Sequence, residues 1–262
     1  MRIEYKNCLQ SYLGEWLHIM DIKARAEGKT SSGLTLPQPV QSLMRHELNL
    51  CLMLELFEER LTRFEKSLNG KKEDCDFGAY SEALAFLDAI YFFTRMLLDS
   101  VAGIVKHRYF YKCDKGRELP KSFSDIYNVK RELPEKLNKA FSTCESWFPQ
   151  LKDRRDAIVH DYETYFIGFE KNSEGEMTSI QFSPQKKTPE VKDLRFYIGM
   201  MMAGYQHFID GLLDYWDEMF LSLYGTSSCR TQVHLLGRRA NILWWAYRYG
   251  GYRNDNMIVS ES

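Results

Sequence analysis

Residues 155–162 read Arg-Asp-Ala-Ile-Val-His-Asp-Tyr, and three of them carry side chains suited to work on a phosphodiester. Arg155 offers a permanently charged planar fork that can hold a phosphate at two points and stabilise charge growing on it. Imidazole is the side chain that exchanges protons near neutral pH, so His160 can take a proton from a ribose 2′-hydroxyl or return one to a departing 5′-oxygen. Tyr162 can form one wall of such a site. A plainer reading stands beside this one. In it the stretch is an ordinary helix start, with Asp153 and Arg155 in solvent and His160 and Tyr162 at the edge of a core. Geometry bears on the choice, because five residues turn an ideal helix by about 500° and leave Arg155 and His160 about 140° apart. One copy of the chain is therefore expected to make a poor site by itself.

Short patterns arise by accident. An Arg-x4-His pair is expected by chance about 0.4 times in a chain of this composition, whereas Arg-x4-His-x-Tyr is expected only about 0.02 times. The full pattern at Arg155, His160 and Tyr162 resembles the signature of the HEPN superfamily of helical nucleases and nucleotide-associated modules. Asp156 stands where that family commonly has a small polar residue, most often Asn, and it puts a carboxylate beside the phosphate site. The motif covers eight residues and the helical context roughly 37–225.

The resemblance implies a mostly α-helical HEPN-like bundle that pairs as a homodimer, so that the motifs of two subunits line one cleft near a two-fold axis. It also implies metal-independent cleavage of RNA to a 2′,3′-cyclic phosphate, with Arg155 and His160 catalytic and no cofactor or metal, in a defence or toxin setting. Tyr162 would be a wall of the cleft or an acceptor of adenylyl groups from a nucleotidyltransferase-type antitoxin. The alternatives are a catalytically silent HEPN-like protein that binds a partner protein or a nucleotide, and a helical interaction protein unrelated to the family.

Further candidates lie outside the motif. Arg154 could stand in for Arg155 or contact RNA. Asp88, Arg95 and Asp99 share one helical face, where Asp88 or Asp99 could orient the motif's Arg or His; a salt-bridged polar stripe is the competing reading. The segment from Arg230 to Arg253 contains five arginines, two tryptophans and three tyrosines without one acid. Arg238, Arg239 and Trp244 are its candidates for phosphate contact and base stacking, set against a helix whose tryptophans simply pack on the bundle.

The elements that must position these residues follow from periodicity. Apolar stripes predict helices at 4–27, at Val40 to Leu68 and from about Phe77 to Tyr111. The Pro-rich stretch from Cys113 to Pro149 leaves room for short helices such as 135–146, and 151 to about 162 or 165 carries the motif. Alternation at 164–170 and 177–182 predicts a β-hairpin inserted after the motif helix, the one stretch of β-structure expected. Thr188-Pro189-Glu190 marks the start of a long helix that runs to Tyr224.

The 262 residues are 44% apolar and 14% aromatic, enough to bury a sizeable core in a single domain. A net charge of −1 excludes a globally basic nucleic-acid coat, so any RNA contact must be local. Six cysteines without a CxxC pair or neighbouring histidines predict reduced thiols and no metal site. The N-terminus lacks a targeting pattern and no stretch suits a bilayer, so the chain is expected to be soluble and cytoplasmic, without a membrane partner.

Overall fold

The computed structural model describes residues 2–5, 38–68, 75–109, 122–160, 165–171, 177–184, 193–224, 233–235, 242–254 and 257–260. Among these the chain is mostly α-helical. Helix α1 (Gln38–Leu68) accepts Pro39 in its first turn, where no backbone donor is lost to the helix. Leu43, Leu50, Leu54, Phe57, Leu61 and Phe64 recur at helical spacing and are all buried. Helix α2 (Phe77–Tyr109) returns antiparallel to it. Its start is fixed by Asp76, whose Oδ1 accepts the Ala79 amide at 2.9 Å. That hydrogen bond, aided by Arg63, holds the Asp76 carboxyl below its ordinary value. At this end Phe64 packs on Phe77 and Tyr80; at the other, His46 Nδ1 lies 3.0 Å from Ser100 Oγ.

Helix α2 buries a wide arc that includes Leu87, Ile90, Tyr91, Leu97, Leu98 and Val101. It is covered partly by a run of short helices: α3 (Phe123–Asn128), a 3-10 turn at Lys130–Glu132, α4 (Glu135–Ser142) and α5 (Phe148–His160). Ser122 and Asp125 form a reciprocal capping box at α3. Phe123, Phe141, Phe148 and Phe208 interlock with ring centroids 4.8–5.5 Å apart, joining α3, α4 and α5 to the central helix α6 (Leu194–Tyr224). A fully buried ring or leucine stabilises the fold by roughly 1.5–3 kcal/mol, so this cluster is a principal tie.

Two helices cross closely near the C-terminal end. Helix α7 (Ile242–Arg248) lies on α6, and a Cβ added at Gly250 would stand 2.1 Å from the Gly199 carbonyl oxygen. Only glycines permit that approach. Gly251, at φ 67°, then turns the chain so that Tyr252 can donate to Asp210 at 2.5 Å, with Asn254 donating to the same carboxylate at 3.2 Å.

Strands β2 (Tyr165–Lys171) and β3 (Met177–Pro184) pair antiparallel after the motif helix, with Ile167 opposite Phe182. Tyr80 Oη accepts the Ile167 amide, which fastens β2 to α2. A second sheet corrects two expectations. Strand β1 (Arg2–Tyr5) runs antiparallel between β4 (Val233–Leu235) and β5 (Met257–Ser260), with Ile3 opposite Leu235 and Val259. Glu4 and Tyr5 are therefore extended, not the first residues of a helix, and β-structure is not confined to the segments after the motif. The partners come from the opposite end of the chain, so local periodicity carried no trace of the pairing. The rest of the expected helix at 4–27 lies outside the described residues, as does Thr188-Pro189-Glu190. Helix α6 is described from Leu194, with Asp193 Oδ1 accepting the Phe196 amide at 2.9 Å. Among the described residues no helix is long and apolar enough to cross a membrane.

Candidate functional site

The site is built on α5, a helix with little amphipathic character. Pro149 sits in its first turn, and Phe148 and Leu151 are the two residues it buries deeply. Phe148 also lies 5.2 Å beneath the Arg95 guanidinium, which holds the start of α5 against α2. One turn later the helix presents Arg154, Arg155, Asp156 and Ile158 half-buried, and Val159 and His160 exposed.

Arg155 and His160 meet within one chain. Arg155 Nη1 lies 3.3 Å from His160 Nε2 and 2.9 Å from Asp156 Oδ1. This corrects the expectation that the two diverge too far to cooperate without a second copy. The 140° separation describes where side chains leave the helix axis, while the arginine stem spans the rise of about 7.5 Å between the two positions. His160 is also the last residue of α5, so no further turn obstructs the approach. Because a guanidinium only donates, Nε2 is the acceptor in this contact. The lone pair that would receive a substrate proton is thus turned to the arginine that would hold a phosphate.

A cleft of about 230 Å³ opens beside this pair, lined by Asp88, Ala89, Tyr91 and Phe92 of α2 and by Arg155, Ile158 and Val159 of α5. Arg155 Nε is buried there without a hydrogen-bond partner among the described residues. Its ion pair with Asp156 is half exposed, with the two side chains 28% and 40% accessible, and contributes about 0–1 kcal/mol. Asp88 is an exposed residue that forms no hydrogen bond or ion pair among the described residues, and partial desolvation raises its carboxyl above the ordinary value. Tyr91 is fully buried in the wall. Burial raises its hydroxyl well above the ordinary range, an effect that Tyr197 reinforces and Arg154 opposes.

The remaining candidates fall in different places. Asp99 does not serve the motif: its Oδ1 accepts the Phe123 amide at 2.8 Å and its Oδ2 pairs with Arg95 at 3.3 Å, so it anchors the start of α3. Arg95 also donates to Ser124 at 3.0 Å. The polar stripe is thus divided, Asp88 facing the cleft and Arg95 with Asp99 holding the short helices. Trp244 is half-buried with its ring edge-on to Trp245 and Tyr249, and Trp245 is wholly buried, so the α7 part of the tail packs on the bundle. Tyr162, Arg238 and Arg239 lie outside the described residues. Tyr91 and Phe92 escaped the sequence reading, although they follow Asp88 by three and four residues and share its face. Among the described residues no group of His, Cys, Asp and Glu could hold a metal ion.

No protein-family model matches the chain, no curated protein is detectably similar to it, and no solved structure matches its fold.

Proposed function

We propose that the chain is a metal-independent endoribonuclease of HEPN type. The observation that carries this reading is the 3.3 Å approach of Arg155 Nη1 to His160 Nε2 at the edge of a cleft, in a stretch that matches Arg-x4-His-x-Tyr. In the proposed reaction Nε2 of His160 removes the proton of a ribose 2′-hydroxyl, and the freed oxygen attacks the adjacent phosphorus. The bond to the 5′-oxygen breaks, that oxygen takes up a proton, and a 2′,3′-cyclic phosphate remains. Arg155 leaves His160 to hold the non-bridging oxygens, where its attraction for the negative charge that grows on them is stronger in the transition state than in the ground state. Asp156 keeps the guanidinium in place until substrate arrives. Pairing as a homodimer, which the resemblance implies, supplies a second His160 as the acid for the leaving group. A defence or toxin role in the cytoplasm, with a nucleotidyltransferase-type antitoxin acting on Tyr162, belongs to the same proposal.

The test is digestion of varied single-stranded RNAs by purified protein in EDTA, with analysis of the product ends. Cyclic phosphates are expected, and both Arg155→Ala and His160→Ala are expected to abolish them while circular dichroism and oligomeric state are unchanged. A second reading, a silent HEPN-like protein that binds a partner protein or a nucleotide, is favoured by the Asp156 carboxylate, which already occupies Arg155 Nη1. Intact RNA after incubation with the wild-type protein would select it.

A further inference from the structure

We infer that the outer face of α1 is a self-complementary interface, on which a second copy of the chain packs antiparallel about a two-fold axis level with Leu50. The inference goes beyond the nuclease reading, because α1 carries none of the motif residues and the contact is measured without RNA.

Three sides of α1 are engaged within the chain. Leu50, Leu54 and Phe57 are buried in the core. His46 and Arg60 reach Ser100 and Glu82 of α2, while Glu58 and Glu65 reach Arg195 of α6. The fourth side is open. Along it Gln41, Arg45, Leu48, Leu52, Glu55 and Glu59 recur at alternating intervals of four and three, the spacing of a seam between two packed helices. Leu48 is 62% exposed and Leu52, one turn on, 49%. One exposed leucine on a surface helix is ordinary. Two stacked on a single seam, with charge at either end, make a patterned surface.

The pattern identifies what covers it. Outward from the level of Leu50, Leu48 mirrors Leu52, Arg45 mirrors Glu55 and Gln41 mirrors Glu59. In an isologous contact residue i meets j and j meets i. An antiparallel second copy therefore sets Leu48 against Leu52 and Arg45 against Glu55, each of them twice. Arg45 and Glu55 form no hydrogen bond or ion pair among the described residues of their own chain, so neither must give up a partner to pair across the axis. A parallel second copy fails on the same residues. It would bring Arg45 to Arg45, Glu55 to Glu55 and Glu59 to Glu59, and like charges so placed repel. The seam thus selects the orientation as well as the occupant. From Gln41 to Glu59 it runs only about 27 Å, so the dimer is expected to be an exchanging one, with a dissociation constant on the order of 10 μM.

Sedimentation velocity of the full chain from about 1 μM to about 0.5 mM tests this, and wild-type protein is expected to pass from monomer to dimer over that range. Leu48→Glu with Leu52→Glu is expected to weaken the dimer by at least about a hundredfold, since it sets carboxylates in the middle of the contact. Circular dichroism should be unchanged, because both side chains are exposed in the single chain. Charge reversal then reads the register. Arg45→Glu and Glu55→Arg are each expected to weaken the dimer about tenfold or more, and the variant carrying both to recover wild-type affinity, because every pair across the axis is reversed together. A wild-type chain that stays monomeric overturns the inference and leaves the face to a different occupant. A dimer indifferent to the leucine substitutions overturns it as well, as does a double reversal that recovers nothing. Recovery in the double reversal by a protein that leaves RNA intact upholds the interface while the nuclease reading falls. RNA cleavage by a dimer that no α1 substitution disturbs does the reverse.

Discussion

Two arginines, each beside acidic side chains, end in opposite conditions. Arg195, near the start of α6, is saturated: its Nε donates to Glu58 at 2.9 Å, Nη1 to Glu65 at 2.6 Å, and Nη2 to Glu65 at 2.9 Å and Thr62 at 3.4 Å. Tyr249 donates to Glu58 at 3.3 Å and brings the segment after α7 into the network. All three charged side chains are 16–18% accessible. Burial opposes the Arg195 charge, but the Glu65 and Glu58 carboxylates outweigh it and raise the guanidinium further above its ordinary value. Arg155 is the reverse, with one half-exposed carboxylate, one imidazole and an Nε that meets no acceptor among the described residues. A guanidinium with all three nitrogens paired ties helices together. Arg155, 28% accessible and with a single half-exposed carboxylate partner, does little to hold helices together.

The largest expected effect tests the saturated centre. Arg195→Met leaves Glu58 and Glu65 facing each other without a cation, and the expected loss is about 3 kcal/mol. In thermal unfolding that appears as a fall of roughly 6–12 °C. The triple variant Arg195→Met, Glu58→Gln, Glu65→Gln should recover most of it, because the cost lies in the stranded carboxylates; equal instability in both would break the comparison. At the open centre Arg155→Ala should lower stability by less than about 1 kcal/mol while removing all RNA cleavage. A stability loss as large as that of Arg195→Met would make Arg155 a structural tie instead.

The smallest effect sharpens the role of Tyr249. Desolvation, reinforced by the Glu58 charge, raises its hydroxyl to about 12. An acid whose folded pKa exceeds its unfolded value of about 10 keeps its proton in the fold over that interval, so stability falls as pH rises from about 10 to 12. Tyr249→Phe should flatten this alkaline loss, and urea midpoints measured at pH 9 and 11 would display the difference. A midpoint that falls as steeply in the variant as in the wild type removes Tyr249 from the network's titration.

Legibility in the sequence tracked the range of the interactions. The long helices were legible because their apolar residues recur every three or four positions within the helix itself, as from Leu43 to Phe64 in α1. The motif was legible as spacing, but its geometry was not. The divergence of Arg155 and His160 followed from ideal helix rotation, which ignores how far an arginine stem extends at a helix end. Asp88 and Asp99 looked equivalent on one face, and their separation came from what packs there: α3 takes Asp99 through a backbone amide, while α5 leaves Asp88 facing a cleft.

The sequence by itself determined a mostly helical chain, the placement of its long helices and the positions of the side chains able to handle a phosphate and a proton, because these depend on residue type and on neighbours a few positions away. Only the tertiary structure decided that the termini pair as strands, that Glu58 and Glu65 converge on Arg195, and that Arg155 and Asp88 line one cleft while His160 meets Arg155 beside it. Those outcomes depend on which distant segments share the cost of desolvating a polar group, and that energy belongs to the packed arrangement and to no single stretch of chain.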